Sequence, residues 1–147
     1  FNYNNAVRIN KNNANYLKQK GNTLKELNRI NEAKECYDKA LNINPNDDEL
    51  WNRYGIILKN EKKYDDALKK FDQAIQINPK WEYYRNKGNA YEESGKIEEA
   101  KQCYNEVIKK NQYDDFSYNA MGNILRGAGD YNNALVCYEN AIVCDQS

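Results

Sequence analysis

The chain has 147 residues, 22 basic and 22 acidic side chains and no histidine, so its formal net charge is zero. That balance excludes a broad basic field for nucleic acid or anionic lipid. Without histidine the usual general base and the commonest metal ligand are both missing. Mean hydropathy is low at -1.09, and no apolar run approaches the roughly 20 residues of a membrane helix. No signal-peptide pattern opens the sequence, so no direct membrane insertion is expected.

Taken in order, residues 1–12, FNYNNAVRINKN, match the end of a later segment: Ala6-Val7 and Ile9-Asn10 align with Ala40-Leu41 and Ile43-Asn44, and Tyr3 takes the aromatic position. This reads either as the second helix of a truncated repeat (1–13), belonging to a longer array, or as a short N-terminal helix acting as a cap. Two helices are then expected at about 14–27 and 31–44. Leu17, Gly21, Leu24 and Leu27 face inward from the first, and Ile30, Ala33, Tyr37, Ala40, Leu41 and Ile43 line the second. Asn28 is the turn residue between them, and Asn44-Pro45-Asn46-Asp47 ends the unit.

Residues 48–80 repeat the pattern. Leu50, Trp51, Tyr54, Ile57 and Leu58 fall at helical spacing, then Tyr64, Ala67, Leu68, Phe71, Ala74, Ile75 and Ile77, with Pro79 as the stop. The next junction is one residue shorter, so a tighter turn is expected after Pro79. Residues 81–114 follow with Tyr84, Gly88, Tyr91, Ile97, Ala100, Tyr104, Val107 and Ile108. Val107 replaces a recurrent alanine, and Gln112 the proline. Residues 115–147 carry Phe116, Tyr118, Met121, Gly122 and Leu125, then Tyr131, Ala134, Leu135, Tyr138, Ala141, Ile142 and Val143. Gly127 and Gly129 are expected to loosen their internal turn. No polar capping helix follows, so either a continuation or another molecule is expected to cover that end.

Gly21, Gly55, Gly88 and Gly122 are separated by 34, 33 and 34 residues, and so are Ala33, Ala67, Ala100 and Ala134, and Tyr37, Phe71, Tyr104 and Tyr138. A helix pair at this period is one repeat of a solenoid. The second repeat reads Trp51-x2-Tyr54-Gly55-x2-Leu58, Ala67-x3-Phe71, Ala74 and Pro79. On these residues the chain resembles the tetratricopeptide repeat family over essentially its whole length. The resemblance implies an all-α fold, a right-handed superhelical solenoid of antiparallel helix pairs. The repeats would be 14–47, 48–80, 81–114 and 115–147, together one solenoid domain.

The resemblance also implies a concave groove lined by the first helices, at the second, fifth, ninth, twelfth and thirteenth positions of each repeat. Carried onto this sequence, the first repeat presents Asn15, Lys18, Asn22, Lys25 and Glu26 and the second Glu49, Asn52, Ile56, Lys59 and Asn60. The third presents Glu82, Arg85, Asn89, Glu92 and Glu93, and the fourth Phe116, Asn119, Asn123, Arg126 and Gly127. Asn22, Asn89 and Asn123 recur at one position, and an amide can both donate to and accept from a peptide backbone. They read either as a row that holds an extended chain or as solvated surface in an asparagine-rich sequence. Ile56 and Phe116 offer apolar anchors. The bases and acids of this set balance, which favours a peptide of mixed charge. Some family members grip a chaperone tail by its terminal carboxylate. Lys18 and Asn22 match that clamp, but Arg53, Glu82 and Asn86 do not, and Glu82 would repel a carboxylate.

Cys36, Cys103 and Cys137 share one repeat position, and Cys144 closes the last helix. Equivalent residues on stacked helices lie roughly 10 Å apart, too far for a disulfide, so reduced thiols, no metal or cofactor, and a cytoplasmic, reducing compartment are expected. No phosphate-cradling glycine loop or catalytic carboxylate pair stands out. The function expected is therefore a non-enzymatic protein-interaction scaffold binding a peptide in its groove. The alternatives are a structural spacer that self-associates through its uncapped C-terminal end, and a regulatory or substrate-binding arm of a larger enzyme.

Overall fold

The computed structural model describes residues 3–145, with side chains described from residue 13 onward. The described residues form eight α-helices and no strand: α1 (Tyr3–Glu26), α2 (Ile30–Ile43), α3 (Asp48–Asn60), α4 (Tyr64–Ile77), α5 (Trp81–Glu93), α6 (Ile97–Lys110), α7 (Asp115–Gly127) and α8 (Tyr131–Asp145). Among the described residues no helix is long and apolar enough to cross a membrane. The chain divides between Asn78 and Pro79 into two compact units. In the first, α1 pairs with α2 and α3 with α4, and α2 packs on α3. In the second, α5 pairs with α6 and α7 with α8, and α6 packs on α7.

Small residues let each pair close. Ala33, Ala67 and Ala100 are fully buried, and Ala134 nearly so. Opposite them, the ring of the second helix occupies the space that a glycine of the first leaves open. A Cβ built on Gly55 would stand 2.6 Å from Phe71 Cε1, and one on Gly21 2.5 Å from Tyr37 Cε1. Tyr37, Phe71 and Tyr104 are fully buried as a result. Val107, standing where the other repeats have alanine, is also fully buried.

The turns inside the pairs are the same in all four repeats. Arg29 N donates to Leu24 O at 2.9 Å, Lys63 N to Leu58 O at 2.9 Å, Lys96 N to Tyr91 O at 2.8 Å and Asp130 N to Leu125 O at 2.9 Å. Each is the long bond of a Schellman motif, which needs a left-handed residue just before its donor. That residue is Asn28 (φ 60°), Lys62 (φ 61°), Gly95 (φ 80°) and Gly129 (φ 82°). Gly129 therefore supplies the conformation this turn demands. The loosening expected there gives way to a turn bonded like the other three.

Aspartate caps start two of the first helices. Asp47 accepts from Leu50 N and Asp114 from Ser117 N, each at 2.9 Å. The link from α4 to α5 has three residues where the links into α3 and α7 have four, as the short junction predicts. The lost position is the cap: α5 starts after Lys80, which makes no side-chain cap bond.

Several expectations change. Residues 3–13 do not form a helix separate from the one expected at 14–27; α1 runs unbroken from Tyr3 to Glu26. Lys11 stands where Pro45 stops α2, so no proline interrupts it. Leu27 does not face inward. It lies beyond the end of α1 and is 63% exposed. Ile43, Ile77 and Ile97, at helix ends, are also exposed, as are Tyr131, Leu135, Ile142 and Val143 of α8.

Lys62 holds a left-handed backbone that its Cβ disfavours. Lys62→Gly is expected to stabilise the fold by about 0.5–1 kcal/mol, after the extra entropy glycine gives the unfolded chain. Thermal denaturation followed by circular dichroism checks this; a lower midpoint would show that the turn tolerates lysine at no cost.

Candidate functional site

The candidate residues lie on the first helices: Asn15, Lys18, Asn22 and Lys25 on α1 and Glu49, Asn52, Ile56 and Lys59 on α3, in the first unit. Glu82, Arg85, Asn89 and Glu92 on α5 and Phe116, Asn119, Asn123 and Arg126 on α7 belong to the second. Many are already engaged within their own unit.

The fifth-position bases hold helix caps. Lys18 Nζ lies 3.0 Å from Asp47 Oδ2 and 3.2 Å from Glu49 Oε2. Arg85 Nη1 lies 3.1 Å from Asp114 Oδ1, and its guanidinium stacks over Trp81 and Phe116 at 5.0 and 5.5 Å. Each base thus ties one first helix to the capping aspartate of the next. The second repeat, whose following link has lost that aspartate, carries Asn52 instead of a base, and it is buried. Arg53 Nη2 reaches Glu49 Oε1 at 2.6 Å. Arg53, with Lys18 assisting, holds the Glu49 carboxyl below its usual range.

The recurrent asparagines turn inward at one end. Tyr37 donates to Asn22 Oδ1 at 2.6 Å and Tyr138 to Asn123 Oδ1 at 2.8 Å. The Tyr104 hydroxyl lies 2.7 Å from Asn89 Oδ1 and 2.6 Å from Glu92 Oε2, its single proton shared between them. The fourth ring, Phe71, has no hydroxyl, and the equivalent of the asparagine in that repeat is Ile56. The signal was present in the sequence as a paired choice 15 residues apart: asparagine with tyrosine three times, isoleucine with phenylalanine once. Burial first, then the bond and charge of Glu92, push the Tyr104 phenol far above its usual range. Burial, with the carboxylate of Asp38 3.1 Å away, pushes Tyr54 up to about 12.

Two cavities lie at equivalent places in the repeat, one in each unit. In the first unit about 440 Å³ is enclosed by Ile30, Ile56 and Ile57 with Lys25, Arg53, Asn28, Asn60 and Glu61. In the second about 460 Å³ is enclosed by Ile97, Ile124 and Leu125 with Glu92, Glu98, Lys101 and Asn123. Asn15, Asn119 and Arg126 are exposed without a role in either. Phe116 is 41% exposed, its ring edge-on to Tyr104 at 6.4 Å.

These helix pairs have counterparts of known type. Tetratricopeptide repeat models match residues 14–47 and 36–69, and the model of the Psidin N-terminal TPR repeats region matches residues 54–147. The chain belongs to the tetratricopeptide repeat family. No curated protein sequence matches it. Among solved structures, a crystal structure of MamA is similar at 20% identity and a TM-score of 0.86, covering 98% of this chain and 85% of that one. PilF of Pseudomonas aeruginosa is similar at 21% identity and a TM-score of 0.82, covering 89% of this chain and 60% of that one. The first TPR of Spaghetti (RPAP3), bound to the HSP90 peptide SRMEEVD, is similar at 25% identity and a TM-score of 0.75, covering 81% of this chain and 95% of that one. The first two establish likeness of fold.

The tyrosine–asparagine pairing is testable at the exception. Phe71→Tyr alone aims a hydroxyl at Ile56 and is expected to cost about 1–3 kcal/mol. Adding Ile56→Asn should recover most of it, giving a favourable coupling of about 1–3 kcal/mol in a denaturant double-mutant cycle; additive effects would dissociate the two positions. The phenols make a second prediction. Folded Tyr54 and Tyr104 keep protons that unfolded tyrosines lose near about pH 10, so stability is full below that pH and falls above it. Tyrosinate absorbance should show a class retaining its protons up to about pH 12, and a single transition near about pH 10 would count against it.

Proposed function

We propose that the chain is a protein-interaction scaffold without catalytic chemistry of its own, and that each unit holds an extended peptide segment against its first helices. The observation that carries this is the orientation of the asparagines. Each phenol occupies an amide oxygen, which leaves the amide nitrogen to donate. An oriented donor suits a backbone carbonyl, an acceptor every peptide presents. Ile56 and its cavity, and Phe116 in the second unit, supply apolar anchors. A relative of the same fold bound to a peptide supports the mode.

The charges favour a peptide of mixed sign rather than nucleic acid. Lys18 and Arg85 are already neutralised by aspartates. Lys25, Arg53 and Glu61 border the first cavity, and Glu92, Glu98 and Lys101 the second. The terminal-carboxylate clamp is disfavoured, because Lys18 is engaged and Glu82 stands where a base is needed. Cysteines repeated at one position rather than in pairs suit a reducing, cytoplasmic setting.

A peptide selected from a random display library against this chain, titrated by fluorescence anisotropy, tests the reading. Asn89→Ala with Asn123→Ala should weaken it about tenfold, the worth of one to two hydrogen bonds, without loss of helical circular dichroism. SRMEEVD should bind no better than its scrambled sequence. Unchanged affinity in the double variant overturns the groove assignment.

A further inference from the structure

The clearest unused surfaces are the outer faces of α1 and α8, and they are changed in matching ways. The internal joint between α2 and α3 shows how one repeat docks on the next. Lys34 Nζ meets Glu61 at 2.7 Å, the Tyr54 hydroxyl donates to Asp38 at 3.1 Å, and Leu41 and Leu50 are both buried. Moved along the repeat period, Lys34, Asp38 and Leu41 become Leu135, Glu139 and Ile142 on α8. Glu61, Tyr54 and Leu50 become Leu27, Lys20 and Tyr16 at α1.

Paired in that register, the internal ion pair is replaced by Leu135 with Leu27, which are 59% and 63% exposed. The hydrogen bond is replaced by a carboxylate and an ammonium, Glu139 and Lys20. The buried leucines are replaced by Ile142 and Tyr16, 58% and 68% exposed. The α6–α7 joint carries Lys101 with Ala128, Asn105 with Met121 and Ile108 with Ser117 at these positions, so the joints vary in chemistry; the two outer faces match apolar with apolar and acid with base. Val136 and Val143 flank the α8 stripe, exposed, where α2 carries Glu35 and Asn42 and α6 carries Gln102 and Lys109. A helix apolar on this much of its circumference is suited to burial.

We propose that this chain binds a second copy of itself head-to-tail, the outer face of α1 in one copy docking on the outer face of α8 in the next, in the register that α3 takes on α2. The two faces differ, so the contact is heterologous and leaves one of each unsatisfied after every addition. It uses none of the groove asparagines and stands independently of the peptide-binding reading.

Light scattering of the 147-residue chain over a range of concentrations tests it, with circular dichroism confirming the fold of each variant. The average mass should rise with concentration. Lys20→Glu and Glu139→Lys should each weaken association about tenfold by placing like charges together, and the chain carrying both should regain it. Leu135→Asp should remove it. A concentration-independent monomer overturns the proposal. So does association that stops at a two-fold dimer, or that ignores these substitutions, since it would then use another surface.

Discussion

In every helix pair an aromatic ring fills the space over a bare glycine, and the closure of the pair depends on that contact. The ring must pass over the first helix for the pair to close, and a Cβ at Gly88 or Gly122 would stand 2.8 or 2.6 Å from it. Passing over the glycine carries the para position of the ring to the next residue. That residue is Asn22, Asn89 or Asn123 where the ring is tyrosine, and Ile56 where it is phenylalanine. Packing and surface chemistry are thus one arrangement. The same glycine that admits the ring sets which end of the amide faces out.

Much of this was legible in the sequence, because the period repeats four times and each copy checks the others. The small, aromatic and turn residues gave the helix pairs nearly to their ends, and the missing residue after Pro79 showed as a shorter link. The lone continuous helix at the N-terminus was less legible. Alignment with 40–44 suggested a repeat end, but Lys11 stands where a proline would stop the helix. The asparagine row was visible as a row, yet its partners lie on another helix, and single-position reading weighed only ligand against solvent. Lys18 and Arg85 were misleading for a related reason. A base at a groove position looks available until the capping aspartate it meets is placed beside it.

The open part of the surface is therefore smaller and more selective than the family positions imply. In the first unit the cavity is rimmed by Lys25, Arg53 and Glu61, and in the second by Glu92, Glu98 and Lys101. Both rims mix acids with bases, and the aliphatic floors of both are alike.

The three-residue link before α5 bears on how the molecule opens. Protection of backbone amides against solvent exchange is set by local opening, which proceeds in cooperative segments and begins where a helix end is least tied down. At α3 and α7 an aspartate ties that end, and a base on the preceding first helix ties the aspartate. At α5 both ties are missing, and Pro79 has no amide to hold. Of α3, α5 and α7, α5 alone starts without an aspartate cap, so its first turn is expected to exchange faster than theirs.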